Sequence, residues 1–115
     1  MARSAADHLR DVLEAIDAIQ RYTKGGKTVF DRDAMVRDAV CARLMQIGQA
    51  VKDAQAEGLD LPSLRPEIQW RNVAGMRDRL AHKYALLDKA LVWAVIERDL
   101  PPLRAAAEAI LKRRQ

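Results

Sequence analysis

The spacing of apolar residues near the start of the chain predicts an amphipathic helix. Ser4, followed three residues later by Asp7, is typical of a helix N-terminus, because each side chain can bond the other residue's backbone N–H group. Gly25-Gly26 is predicted to end the helix. Between these limits apolar side chains recur at steps of three and four residues and form one face: Leu9, Val12, Leu13, Ile16 and Ile19.

A second helix is predicted to begin after Asp31 or Asp33 and to end at Gly58, since a glycine can cap a helix by adopting a left-handed conformation. The same spacing gives this helix an inward face made of Val36, Val40, Leu44, Ile47 and Val51. The segment from Leu59 to Pro66 contains two prolines and is predicted to be a loop.

The second half of the chain predicts three further helices. The third runs from about Trp70 to Tyr84, and its apolar line includes one charged residue, Arg77. Asp88 is the predicted N-cap of the fourth helix. Pro101-Pro102 is predicted to break the chain before the fifth, with Pro102 in the first turn of that helix. The apolar residues of these helices are Val73, Leu80 and Tyr84, then Leu91, Val92, Val95 and Ile96, then Leu103, Ala107, Ile110 and Leu111.

Four to five helices joined by short loops predict an all-α fold, an antiparallel helical bundle that occupies residues 1–115 as a single domain. Cys41 is the only cysteine, so we expect a small core residue in a reducing, cytoplasmic environment. The N-terminus lacks the apolar region of a signal peptide. The longest uncharged apolar stretch, Ala90 to Ile96, is too short to span a bilayer.

The charge distribution adds little on its own. The net charge of +4 fits a polyanionic partner, and it equally fits ordinary solubility. The stretch from Arg65 to Lys89 is richer in positive charge than the chain as a whole, with six basic and three acidic residues. For the basic tail, Lys112-Arg113-Arg114, we favour a solvated helix end over a dedicated binding patch.

Three residues of the predicted third helix are candidates for chemistry. Arg77 shares the phase of an apolar face, His82 is one of two histidines, and Tyr84 lies nearly in line with Arg77. Each alone is better explained structurally, by an ion pair to another helix, an exposed imidazole or a bundle tyrosine. Because all three fall in one short segment, residue physics supports the functional and structural interpretations equally.

The segment resembles the HepT-like toxins of the HEPN superfamily, whose motif is Arg, any four residues, His, any residue, Tyr. Residues Arg77 to Tyr84 match this motif in full. The similarity extends over nearly the whole chain, and its most specific runs are Asp38-Ala39-Val40, Ile47-Gly48-Gln49-Ala50, Pro66-Glu67-Ile68-Gln69-Trp70-Arg71, Ala74-Gly75-Met76-Arg77-Asp78-Arg79-Leu80, Leu91-Val92-Trp93 and Asp99-Leu100-Pro101-Pro102-Leu103.

The resemblance implies a bundle that forms a homodimer, with Arg77 and His82 of both subunits facing one cleft. It also implies cleavage of RNA without a metal or cofactor. The implied partner is an antitoxin of the minimal nucleotidyltransferase (MNT) type, which adenylylates the motif tyrosine, here Tyr84. Asp78, Lys83 and Ala85 depart from the commonest family residues; the last two bear on the local turn and the substrate contacts and leave the motif intact.

Metal-independent cleavage is chemically reasonable because the 2′-hydroxyl of RNA is an internal nucleophile. Imidazole suits the proton transfers, so His82 is the predicted general acid/base. Guanidinium suits the crowded phosphorane, so Arg77 is the predicted clamp on its oxygens. On an ideal helix these residues lie about 140° apart, so the helix ends near His82, Arg77 reaches round it, or the pair forms across a dimer interface. We favour the first and third of these together.

The neighbouring polar residues leave alternatives open. Asp78 is expected to orient a histidine, to offset charge, or to act as a solvated i,i+4 partner. Arg79 and Lys83 can contact the RNA backbone, although ordinary surface charge is the simpler interpretation of Arg79. The competing function is a non-catalytic helical module that binds a nucleotidyltransferase. A DNA-binding regulator is disfavoured, because no helix-turn-helix is evident and aromatic residues are scarce.

Overall fold

Regular structure is helical throughout the residues that the computed structural model describes, 3–81 and 88–114. The all-α fold expected from the sequence is therefore confirmed. In chain order the elements are α1 (Ala5–Tyr22), α2 (Gly26–Arg32), α3 (Ala34–Ala56), α4 (Leu61–Leu64), α5 (Trp70–Ala74), α6 (Met76–Ala81), α7 (Lys89–Ala94), a π-helix (Val95–Asp99) and α8 (Leu100–Arg113).

The helix starts follow the capping residues of the sequence. The Ser4 hydroxyl accepts a hydrogen bond from the backbone N–H of Asp7 at 3.1 Å, and the Asp7 carboxylate accepts one from the Ser4 N–H at 2.9 Å. Asp33 caps α3 by accepting from the backbone N–H groups of the second and third residues that follow it. Asp88 accepts from the N–H of Leu91 at 3.0 Å. Each carboxylate or hydroxyl satisfies a donor that the helix itself leaves unpaired.

The central element of the bundle is α3, which packs against α1 on one side and against α5 and α6 on another. α1 also packs against α8, so the chain wraps around the first and third helices. Cys41 of α3 is buried as expected, and burial, with a smaller contribution from Asp38, raises the pKa of its thiol. The largest fully buried side chains are Leu9, Val12, Ile16 and Ile19 of α1, Phe30 of α2, Val40, Leu44, Ile47 and Val51 of α3, Leu61 of α4 and Leu103 of α8.

Two short helices occupy stretches that the sequence predicted to be non-helical. α2 follows Gly26, whose φ of +82° turns the chain, and it is anchored by the buried ring of Phe30. That ring lies 5.2 Å from the ring of Trp93, centroid to centroid, which ties α2 to α7. α4 forms one turn within the predicted loop because Asp60 caps it and Pro62 suits its first turn.

The predicted break at Pro101-Pro102 is wrong. Both prolines lie in the first turn of α8, as predicted for Pro102, and this is the part of a helix that tolerates proline best. The chain is helical from Lys89 to Arg113, and the irregularity falls earlier, in the π-helix. Val95 and Ile96, predicted to extend the fourth helix, belong to this wider turn.

None of the helices among the described residues has the length and apolar character needed to cross a bilayer.

Candidate functional site

A close backbone contact holds the α5–α6 segment against α3. A Cβ atom placed on Gly48 would lie 3.0 Å from the backbone nitrogen of Arg77 and 3.0 Å from the carbonyl oxygen of Val73. Because both neighbours are backbone atoms, neither can rotate out of the way. Gly48 therefore lets the segment that carries Arg77 approach the central helix more closely than any other residue would allow.

The helix predicted from Trp70 to Tyr84 is interrupted at Gly75, between α5 and α6. The inward positions of the two short helices are Trp70, Val73, Met76 and Leu80, all of them buried. The apolar spacing predicts Arg77 in line with Val73 and Leu80, and this phase is wrong. Met76 occupies the inward position, which is three residues from Val73 and four from Leu80.

Arg77 is consequently exposed. Its guanidinium does not need a buried carboxylate to offset the cost of desolvation, as a half-buried arginine would. No hydrogen bond or ion pair joins the Arg77 side chain to another residue within 3–81 or 88–114; the polar contacts of this segment involve its two neighbours, Asp78 and Arg79. The guanidinium is thus available to an external anion as far as the described residues are concerned.

Asp78 contacts α3 rather than its own helix. Its carboxylate lies 3.4 Å from the ammonium nitrogen of Lys52, and 69% of the Asp78 side chain is exposed. The pair is a solvated contact between α3 and α6, and such pairs contribute little to stability. The i,i+4 position of Asp78 is His82, which lies outside the described residues, so that interpretation stays a prediction.

The Arg79 guanidinium spans the interruption at Gly75 by donating a hydrogen bond to the carbonyl oxygen of Asn72 at 2.7 Å. Arg79 also lines a cavity of about 330 Å³ between this segment and the start of α8. Gln69 and Asn72 line the same cavity, and their side-chain amides are joined by a 2.8 Å hydrogen bond. Arg79 is therefore more than ordinary surface charge, because it holds the local turn.

His82, Lys83 and Tyr84 lie outside the described residues, so their positions relative to Arg77 stay predictions. The expected end of the helix near His82 and the pairing of Arg77 with His82 across an interface stay predictions for the same reason. Within 3–81 and 88–114, no group of three or more His, Cys, Asp or Glu side chains could hold a metal ion.

The sequence does not single out three residues that hold the α5–α6 segment in place: Gly48, Lys52 and Asn72. Gly48 lies inside a long helix, where glycine costs about 1 kcal/mol relative to alanine, and this cost was the available signal that a close contact is made there. Lys52 and Asn72 gave no such signal. Their contacts depend on how α5 and α6 dock on α3, which periodicity within one helix does not specify.

Comparison with known proteins identifies a family. The sequence model of the family described as "Ribonuclease HepT-like" matches residues 12–110. A protein of Thermococcus cleftensis, named as a probable ribonuclease HepT, is 36% identical over 115 residues, which cover 97% of this chain and 100% of that protein.

Two proteins of Methanocaldococcus jannaschii are also similar to this chain in sequence. One, provisionally named an RNase, is 33% identical over 105 residues that cover 90% of this chain and 84% of that protein. The other is named both as a gamma-glutamylcyclotransferase and, provisionally, as an RNase, and it is 36% identical over 114 residues. The chain spans 48% of this second, longer protein. No solved structure matches the chain significantly.

Proposed function

The chain belongs to the ribonuclease HepT-like family, and from this premise we propose that it is a toxin-type endoribonuclease that cleaves RNA without a metal ion. The observation that carries the proposal is Arg77. It is exposed, it lies on a segment held in backbone contact with α3, and no described residue neutralises its charge. It is also the first residue of the complete family motif, Arg77 to Tyr84.

In the proposed reaction the 2′-hydroxyl oxygen of the substrate attacks the adjacent phosphorus. The bond from phosphorus to the 5′-oxygen breaks, which leaves a 2′,3′-cyclic phosphate on one product and a 5′-hydroxyl on the other. A general base removes the 2′ proton, a general acid protonates the departing 5′-oxygen, and His82 supplies this acid–base chemistry. Arg77 donates hydrogen bonds to the nonbridging oxygens as charge accumulates on them.

Two proton transfers are served best by two imidazoles, and the segment provides one. We therefore propose a homodimer in which a two-fold axis brings the Arg77 and His82 of both subunits to one cleft. Of the neighbouring residues, Lys83 is assigned to the RNA backbone, while Asp78 and Arg79 support the segment through Lys52 and Asn72. We place the reaction in the cytoplasm, where Cys41 remains a thiol.

For regulation we propose an MNT-type nucleotidyltransferase as the antitoxin. The phenolic oxygen of Tyr84 attacks the α-phosphorus of ATP, pyrophosphate leaves, and the phenolic proton passes to solvent. The product carries AMP, a bulky anion, next to the cationic groups that receive the scissile phosphate. Repulsion and steric blockage then inhibit cleavage. Intact mass spectrometry after co-expression with the neighbouring nucleotidyltransferase tests this, since each transfer adds one AMP to the mass.

The test of the nuclease uses purified protein, single-stranded RNA and an excess of EDTA. We expect cleavage to persist in EDTA and its products to carry cyclic phosphate ends. Arg77→Ala and His82→Ala should each reduce the rate by roughly 10²–10³-fold. Arg71→Ala is the matched control, because Arg71 is an exposed arginine on the same segment, in α5.

The outcomes separate the nuclease from the competing function. Cleavage that disappears with EDTA would reject metal independence, and full activity of both variants would reject the assigned residues. If no RNA is cleaved under any condition while a stable complex with the nucleotidyltransferase forms, the chain is the non-catalytic binding module.

A further inference from the structure

A second basic site lies between the end of α4 and the last turns of α8. It is a cavity of about 220 Å³, which we call the tail groove, and it is separate from the residues of the Arg77–Tyr84 motif. Three of its six lining residues are arginines; the full set is Leu64, Arg65, Ala109, Ile110, Arg113 and Arg114.

The charge of the tail groove is only partly neutralised. The carboxylate of Glu67 lies 2.6 Å from one terminal nitrogen of Arg65. Arg113 and Arg114 are exposed, and neither forms an ion pair within the described part of the chain. Among residues 3–81 and 88–114, one carboxylate is therefore paired with a group of three guanidiniums, which favours a polyanionic occupant.

The arginines are presented by fixed backbone rather than by a loose tail. Arg65 donates its backbone N–H to the carbonyl of Leu61 at 2.9 Å, and its own carbonyl accepts the indole N–H of Trp70 at 2.9 Å. Arg113 is the last residue of α8, and Arg114 follows it as the C-cap. Since Ile110 is buried one turn earlier, this face of α8 is fixed against the core.

We propose that the tail groove binds the phosphate backbone of the RNA substrate at a position away from the cleavage motif. Guanidinium groups donate paired hydrogen bonds to phosphate oxygens, and the exposed side chain of Leu64 provides an apolar surface for the ribose. The inference rests on the proposed ribonuclease function, and it replaces our expectation that the basic tail is only a solvated helix end. The groove binds the RNA without regard to base sequence.

The test measures binding rather than cleavage. In a His82→Ala background, fluorescence anisotropy follows a labelled single-stranded RNA of about 20 nucleotides, long enough to cross the protein at ~3.4 Å per nucleotide. R113A/R114A removes two cations from the groove. R21A/K24A is the matched control, because Arg21 and Lys24 are exposed cations at the end of α1, another helix C-terminus.

If each arginine neutralises one phosphate, R113A/R114A should weaken binding about 25-fold at roughly 0.1 M salt and about 2.5-fold at roughly 0.5 M. The slope of the logarithm of the binding constant against the logarithm of the salt concentration should become shallower by about 1.4. R21A/K24A should bind within about threefold of the His82→Ala parent at both salt concentrations. R113K/R114K, which keeps the charge but not the paired hydrogen bonds, should retain the salt dependence of the His82→Ala parent and recover only part of the affinity.

Equal affinities for R113A/R114A and R21A/K24A would overturn the proposal, as would an RNA that fails to bind the His82→Ala parent. These results are independent of the nuclease test. Cleavage by the wild-type protein together with equal affinities rejects the tail groove alone. Absence of cleavage together with a groove-dependent affinity rejects the nuclease and retains the groove.

Discussion

Gly48 and Arg77 are in contact through their backbones, although 28 positions separate them in the sequence. The missing side chain of Gly48 leaves room for the backbone nitrogen of Arg77 and the carbonyl of Val73. The backbone from which the guanidinium extends is consequently positioned by a glycine on another helix. This contact makes the central helix part of the candidate site, although α3 contributes none of the motif residues.

Gly48→Ala should destabilise the protein and reduce cleavage together. In an isolated helix this change stabilises by about 1 kcal/mol, so a net loss can come only from the clash with α5–α6, which we expect to cost about 1–3 kcal/mol. Urea unfolding and initial cleavage rates measure the two effects. Ala42→Gly, at an exposed position of α3, is the control that loses stability without moving Arg77. A fully active Gly48→Ala variant would show that the contact has no bearing on the site.

Arg77 should be important for cleavage and almost neutral for stability. Since its side chain is exposed and forms no ion pair with a described residue, Arg77→Lys should change the free energy of unfolding by less than about 0.5 kcal/mol. The same variant should lose roughly 10–100-fold in cleavage rate, because lysine keeps the charge but cannot bind a phosphate in bidentate fashion. Loss of stability comparable to a core substitution would instead indicate a structural ion pair.

Much of the fold could be predicted because it depends on local signals. Ser4 with Asp7, Asp33, Gly58 and Asp88 act on backbone groups a few residues away, and each stands at the helix end that the sequence indicated. The apolar faces of α1 and α3 follow from spacing for the same reason.

The errors come from contacts between elements. α2 contains one buried side chain, Phe30, and its stability depends on Trp93, which is distant in the sequence. The phase of Arg77 was misassigned because a continuous helix was assumed, whereas the interruption at Gly75 gives the inward position to Met76. Which residues of a motif face solvent is thus decided by the docking of its helix on a neighbour.

The contact between Lys52 and Asp78 should contribute little to stability and little to cleavage. In a double-mutant cycle with Lys52→Ala and Asp78→Ala, we expect a coupling free energy of about 0.2–0.5 kcal/mol that falls further as salt screens the exposed pair. Cleavage by Asp78→Ala should stay within a few-fold of wild type. A loss beyond roughly tenfold, with unchanged stability, would assign Asp78 to a reacting group instead.

The start of α1 should be sensitive to acid. The pKa of Asp7 is lowered from 3.8, chiefly by the hydrogen bond from the backbone N–H of Ser4 and secondarily by the Ser4 side chain. A carboxyl whose pKa is lower in the folded state stabilises that state fully above its unfolded pKa. The contribution disappears as the pH falls through the folded value. The thermal midpoint of Asp7→Asn should therefore lie below that of wild type at pH 6, and the two should converge as the pH falls below 3.8 and through the lowered folded pKa.

The control for this last prediction is Glu57→Gln, which removes one exposed negative charge at the far end of α3 and leaves the cap there intact, because Glu57 caps the helix through its backbone N–H. At pH 6 it should have a thermal midpoint close to that of wild type, because a surface charge without such hydrogen bonds contributes little. If Asp7→Asn and Glu57→Gln behave alike at pH 6, net charge rather than the hydrogen bonds to Ser4 explains the loss. The difference in thermal midpoint between wild type and Asp7→Asn should shrink as the pH falls. If this difference stays constant from pH 6 to pH 3, the stabilisation comes from the geometry of the cap, which asparagine reproduces imperfectly, and not from its charge.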